Sequence, residues 1–266
     1  MRRLSFLFLL TLALSVLGAS ASATPPVSYD ENNSGALKAV TPLGLLDLSE
    51  GNFVMVQPGA LTPGDLGATF LLRFQSRLDG AIFDDGSLGF TFPGEVTVEF
   101  VVPLEFVAVS GTRREFALDA AVPAGPGNYF NLYYDPTPPF GNSSITAGTG
   151  FTDGTPILAA SFFDVFLSVD TADLPGTFLA GLDIASYAPT AFDVPGGYTA
   201  RLDGAVFIPG QLPNAALIAG YAPVSGDVLG SVDFTMTFVP ETNTVVLLAG
   251  GAVAACGFLR RRRLAG

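Results

Sequence analysis

Chemistry in this chain has to come from carboxylates, hydroxyls and phenols. There is no histidine, and the single cysteine, Cys256, lies near the C-terminus. Ser-His and Cys-His nucleophilic catalysis therefore lack a base or a thiol in the body of the chain. Zinc, copper and haem sites lose their usual ligands too. Two carboxylates alone suffice to cleave a glycosidic bond, and Asp84, Asp85, Glu95, Glu99 and Glu105 are the nominees. Neighbours along a strand point to opposite faces, and Glu95 and Glu99 sit in EVTVEF, where acids on the solvent side are expected. That reads as a solvated face. Asp84-Asp85-Gly86 and Asp153-Gly154 are oxygen-rich turns suited to a hard cation, but neither follows the spaced D-x-D-x-D-G loop. Ordinary Asp-Gly turns account for them. No catalytic residue, metal site or cofactor is assigned. Tyr129, Tyr133, Tyr134, Tyr187, Tyr198 and Tyr221 offer rings that could stack on sugars, in a chain without tryptophan. Alternation places Tyr133 and Tyr134 on opposite faces.

The elements that must carry these groups read as strands. Gly and Pro punctuate the body, and period-two runs lie between them. Val232-Asp233-Phe234-Thr235-Met236-Thr237-Phe238 is the clearest, with ATFLLRFQSRL, EVTVEFVV, NYFNLYY, PILAASFFDVFLSVD and YTARLDGAVFI beside it. Helical spacing bounded by caps is missing from the body. The pattern predicts an all-β fold, an antiparallel β-sandwich or jelly-roll-like body. Arg77-Leu78-Asp79-Gly80-Ala81-Ile82-Phe83 recurs as Arg201-Leu202-Asp203-Gly204-Ala205-Val206-Phe207. The echo fits a duplicated β-unit, equivalent strands of one sandwich, or coincidence in a chain rich in Leu, Asp, Gly and Ala, and its Asp-Gly permits a turn or bulge; one large domain is expected, with two smaller sandwiches as the alternative. DPTPPFGNSSITAGTG is expected as the longest loop, a surface excursion joining the halves.

Setting aside Arg2, Arg3 and Arg260 to Arg263 leaves 6 basic residues against 24 acidic ones, a net charge of −18. Such a body repels phosphate backbones and anionic membranes, which argues against nucleic acid as a partner. Without cysteines it forms no disulfides, so its stability must come from buried apolar area.

Both ends look like delivery segments. MRRLSFLFLLTLALSVLGASASATPP has a basic start, an apolar run and small residues before Pro25-Pro26, the layout of a secretory signal peptide cut after Ala21 or Ala23. At the other end Val245 to Leu259 is uncharged and leads into Arg260, Arg261, Arg262 and Arg263. As a helix it would cover about 22 Å, short of the ~30 Å hydrocarbon core unless the arginine stems lengthen it. It reads as a single transmembrane helix anchored through Val245, Leu247, Leu248, Phe258 and Leu259, with the arginines as a cytoplasmic stop. The expected organisation is signal peptide 1–23, extended lead-in 24–35, β-rich body 36–238, and tail 239–266 with its helix at 244–259.

The order Pro240-Glu241-Thr242, then an apolar helix, then an arginine cluster resembles the PEP-CTERM sorting signal of bacteria that produce exopolysaccharide. Thr242 stands where that motif has a second proline. The stretch NLYYDPTPPFGNSSITAGTGFTDGTPILAASF is similar to one found in flocculation-associated members of the same group. The resemblance implies an exosortase-type membrane protease as partner, removal of the helix, and release or attachment at the cell surface. It further implies a structural or adhesive role in exopolysaccharide, floc or biofilm, with extracellular polysaccharide as a second partner. A secreted carbohydrate-binding module, or a glycosidase using carboxylates alone, is the alternative. A tail-anchored surface protein whose helix is never cut is a third reading.

Overall fold

The computed structural model describes residues 27–29, 43–56, 62–84, 86–89, 94–136, 143–170, 175–207 and 216–240. The expected signal peptide, most of the expected lead-in, and the tail from Glu241 onward lie outside them.

The period-two runs form strands, and the strands are long. In chain order they are β1 (Ser28–Tyr29), β2 (Leu43–Met55), β3 (Thr69–Phe83), β4 (Leu88–Gly89), β5 (Glu95–Ser110), β6 (Arg113–Leu118), β7 (Tyr129–Asp135), β8 (Thr155–Asp170), β9 (Gly176–Tyr187), β10 (Phe192–Asp193), β11 (Tyr198–Phe207) and β12 (Val228–Pro240). One 3-10 turn, Pro63–Asp65, precedes β3. Every ladder is antiparallel.

The all-β antiparallel expectation holds, but the ladders do not divide into two facing sheets. Instead β2, β3, β5, the β6/β7 pair, β8, β9, β11 and β12 form a ring, and β12 pairs back onto β2. This is an up-and-down eight-stave barrel in which each stave lies beside the next long strand of the chain. Closure removes the unpaired edges that an open sheet exposes.

One stave is broken. β5 pairs with β7 from Glu95 to Val101 and with β6 from Leu104 to Ser110. Between them residues 119–128 leave the wall, and Pro103 of β5 lies opposite the gap, where a residue without an N–H is tolerated. The buried Asn128 side chain bridges the break, accepting from Phe162 N at 2.9 Å and donating to Phe162 O at 3.1 Å.

Eight staves leave an interior just wide enough for side chains to fill. Phenylalanines fill it. Phe100 sits at the centre, with ring centroids of Phe74 at 4.7 Å, Phe162 at 5.3 Å, Phe234 at 5.8 Å, Phe178 at 6.0 Å and Phe130 at 6.1 Å. Burying each ring contributes roughly 1.5–3 kcal/mol, which replaces the missing disulfides. One end of the barrel is covered by β1 paired with β10, where the Tyr29 ring meets Phe192 at a tilt, 4.8 Å between centroids, and Phe192 meets Phe238 at 6.0 Å.

Candidate functional site

Alternation along β5 turns Val96, Val98, Phe100 and Val102 into the barrel and Glu95, Thr97 and Glu99 onto its outer wall. The two acids are on the outer face as expected, yet they are not solvated: each is only 9 % exposed. Segments 143–151 and 216–221 lie over this part of the wall and tie their backbones to its side chains. Asn52 donates to Ile145 O at 3.1 Å, Gln75 to Leu217 O at 3.0 Å, Arg73 to Ala219 O at 3.0 Å and Thr97 to Phe151 O at 2.7 Å. Ala219 N in turn donates to Gln75 Oε1 at 2.9 Å, which holds Ala219 at φ 46°, a left-handed conformation uncommon outside glycine. The expected surface excursion is, in its described part, a cover in which Ser143 is buried, and Phe151 just after it is buried too.

Register explains why these polar groups meet. Asn52, Gln75, Glu99 and Asn131 stand opposite one another in four successive staves, so one polar row crosses β2, β3, β5 and β7. At one end of the seam Arg77 Nε lies 3.1 Å from Glu95 Oε1, and the Ser143 hydroxyl joins both. Further along, Tyr129 donates to Glu99 Oε1 at 2.5 Å, and Asn131 donates to the Tyr133 hydroxyl at 3.1 Å. Burial pushes the Glu99 carboxyl above its ordinary range, against the opposing Tyr129 hydrogen bond and the Arg73 charge. Burial also raises the Tyr129 phenol, with its bond to Glu99 and that residue's charge adding to the rise. Tyr133 is raised by burial, against its bond from Asn131. Tyr129, Asn131 and Tyr133 are half-buried at this end of the seam.

Glu95 and Glu99 do not form a catalytic pair by geometry. Glu95 and Glu99 are four strand residues apart, about 13 Å of rise, beyond the roughly 5–9.5 Å that glycoside hydrolysis uses. Glu95 is held by Arg77, and Glu105 lies farther along β5. Asp84 is exposed beside a turn closed by Gly86 N donating to Phe83 O at 2.8 Å, with Gly86 at φ 78°, while Asp85 lies outside the described residues. Asp153 is exposed in a bend next to Gly154. Among the described residues no three of Asp, Glu, His or Cys converge as a metal site would need.

Of the six tyrosines, the structure brings Tyr129 and Tyr133 to Glu99 and scatters the rest. Tyr134 is buried inside, opposite in facing to Tyr133 as alternation requires. Tyr187 is exposed at the end of β9 and Tyr198 half-buried at the start of β11. Tyr221 lies in the cover, with the Arg73 guanidinium 5.6 Å from its ring centre. The contribution of Arg73, Gln75 and Asn131 was not readable from sequence, because only the register sets them beside Glu99.

Pro240 is the last residue of β12, exposed and opposite Tyr198. Glu241, Thr242, the expected anchor residues Val245, Leu247, Leu248, Phe258 and Leu259, Arg260 to Arg263, and Ala21 and Ala23 lie outside the described residues. Among the described residues no helix is long and apolar enough to cross a membrane. No protein-family profile, curated protein or solved structure matches the chain.

Proposed function

We propose that this is an exported, non-enzymatic protein of the bacterial cell surface or extracellular matrix, with a structural or adhesive role in exopolysaccharide, floc or biofilm. Its signal peptide sends it out, and an exosortase-type protease handles the PEP-CTERM-like tail while the apolar helix holds the chain transiently in the membrane. One observation carries this reading: Pro240, the first residue of the sorting motif, closes the last stave. The barrel is therefore complete before the motif proceeds, and a cut beyond it would release or transfer a finished domain. The Phe-packed interior supports a scaffold role, since it offers its volume to side chains and not to a ligand.

The test is fractionation of cells making the full chain or a chain ended after Pro240. The full chain should reach the surface fraction with a mature mass lacking Arg260 to Arg263, and the shortened chain should be lost to the medium or periplasm. Equal surface amounts of both forms would overturn the sorting role.

A further inference from the structure

The outer wall across β8, β9, β11 and β12 carries an open groove of about 370 Å³ on the staves away from the Glu99 seam. β8 has a bulge here: Phe162 pairs with Leu182 and Asp164 with Gly181, so Phe163 is the extra residue without a partner in β9. Phe162 points into the core, and Phe163 is thrown outward with 55 % of its surface exposed. Its ring does not stand free. It rests on Gly181, where a Cβ would collide with the end of the ring, Cε2 and Cε1 lying 2.7 and 3.0 Å from that position. Cζ is nearer still, and the Cε distances are too short for a point in the ring plane beyond Cζ, so the position lies over the Cζ end of one face: that face is seated on backbone and the other is turned to water.

Charge flanks this ring on both sides. Arg201 of β11 stands directly opposite Gly181 on one side, and Asp164 of β8 on the other. Phe166 and Leu179, themselves a cross-strand pair, extend the floor in one direction, and Thr199 and Val239 extend it in the other. From the Thr199 row to the Leu179 row the groove runs four residues, roughly 13 Å, and it is open at the ends. A fixed ring face with one donor and one acceptor beside it matches the two sides of a pyranose, whose axial C–H face is apolar and whose rim carries hydroxyls.

We propose that this groove binds a neutral hexopyranose polymer, with Phe163 as the stacking platform and Arg201 and Asp164 holding hydroxyls of one sugar. This deepens the surface role proposed above and rests on it for its biological setting. A neutral polymer is favoured over an acidic one because Asp164 lines the groove and Asp183 and Asp203 flank it in β9 and β11, while Arg201 is the single cation of the lining. An anionic membrane is disfavoured by the net charge of the body for the same reason.

The experiment is affinity electrophoresis of the full chain in mild detergent, through native gels containing laminarin, hydroxyethylcellulose, yeast mannan or polygalacturonate. At least one neutral polymer should retard the protein. Phe163→Ala should weaken that retardation at least tenfold, Arg201→Ala severalfold, and Phe163→Tyr should keep it, all with an unchanged melting midpoint. Retardation by polygalacturonate alone, by no polymer, or equally in Phe163→Ala would overturn the proposal. So would a concentration-dependent dimer in sedimentation that Phe163→Ala abolishes, because the face would then belong to a second copy. Polymer binding is read on purified protein, so it can fail while surface sorting succeeds, and the reverse.

Discussion

Glu99 keeps a carboxyl among two phenols on a covered wall, and its proton is held more tightly in the folded chain than in the unfolded one. As pH rises through the carboxylate range the unfolded state ionises first, so this group withdraws stability with rising pH. Glu99→Gln removes that loss while its amide oxygen still accepts from Tyr129. The variant should melt above the parent at pH 7, and the difference should close near pH 3, where both side chains are neutral. A parent more stable than the variant at pH 7 would mean that the ionised form is the one the fold favours. The residue scale is also where sequence reading reached its limit. The heptapeptide of β3 and that of β11 differ only in Ile for Val, yet they bury different side chains. In β3 the ladder to β2 slips between Asp47, opposite Gly80, and Leu48, opposite Leu78, so Asp79 is bulged out and Phe83 turns inward. In β11 the ladders run without a slip and Phe207 faces out, 47 % exposed. Asp-Gly permits a bulge, and only the partner strand decides whether one forms.

At the scale of elements, the broken β6/β7 stave depends on a side chain acting as backbone. Asn128 gives Phe162 the donor and the acceptor that a neighbouring strand would have supplied. Asn128→Ala leaves both groups buried and unpaired, a cost of about 1–3 kcal/mol. Urea unfolding should show the midpoint falling accordingly, and an unchanged midpoint would show that something else satisfies Phe162. Strong period-two runs were legible: three of the six singled out in the sequence lie within β5, β8 or β12, and the other three match β3, β7 or β11 but for one end residue each. β2 was not, because Ser49-Glu50-Gly51 reads as a turn. In the fold Gly51 permits close approach of β3, where a Cβ would meet Ser76 and the Phe74 ring. β9 escaped too, since Gly176, Gly181 and its alanines dilute the alternation. That same Gly181 seats the Phe163 ring, so the weak signal and the groove have one cause.

For the whole molecule, the decisive contact is the ladder between β12 and β2. The same alternation serves two packed sheets or one closed wall, because both have an apolar inside and a polar outside. Only long-range register distinguishes them, and no local pattern encodes it. A chain ended before Val228 should expose the bare edges of β2 and β11, lose cooperative melting and aggregate. One ended after Pro240 should melt cooperatively, as the full chain does. Cooperative melting without β12 would show that the other staves close by themselves. The pairing of first stave to last also acts on time. Contacts between segments so far apart in the chain form late and slowly. Until the thirteen residues of β12 have been made, no sealed barrel exists and the earlier staves keep open edges. The final stave is thus the clock of the fold: the polymer stays pliant until it arrives and sets only when it pairs.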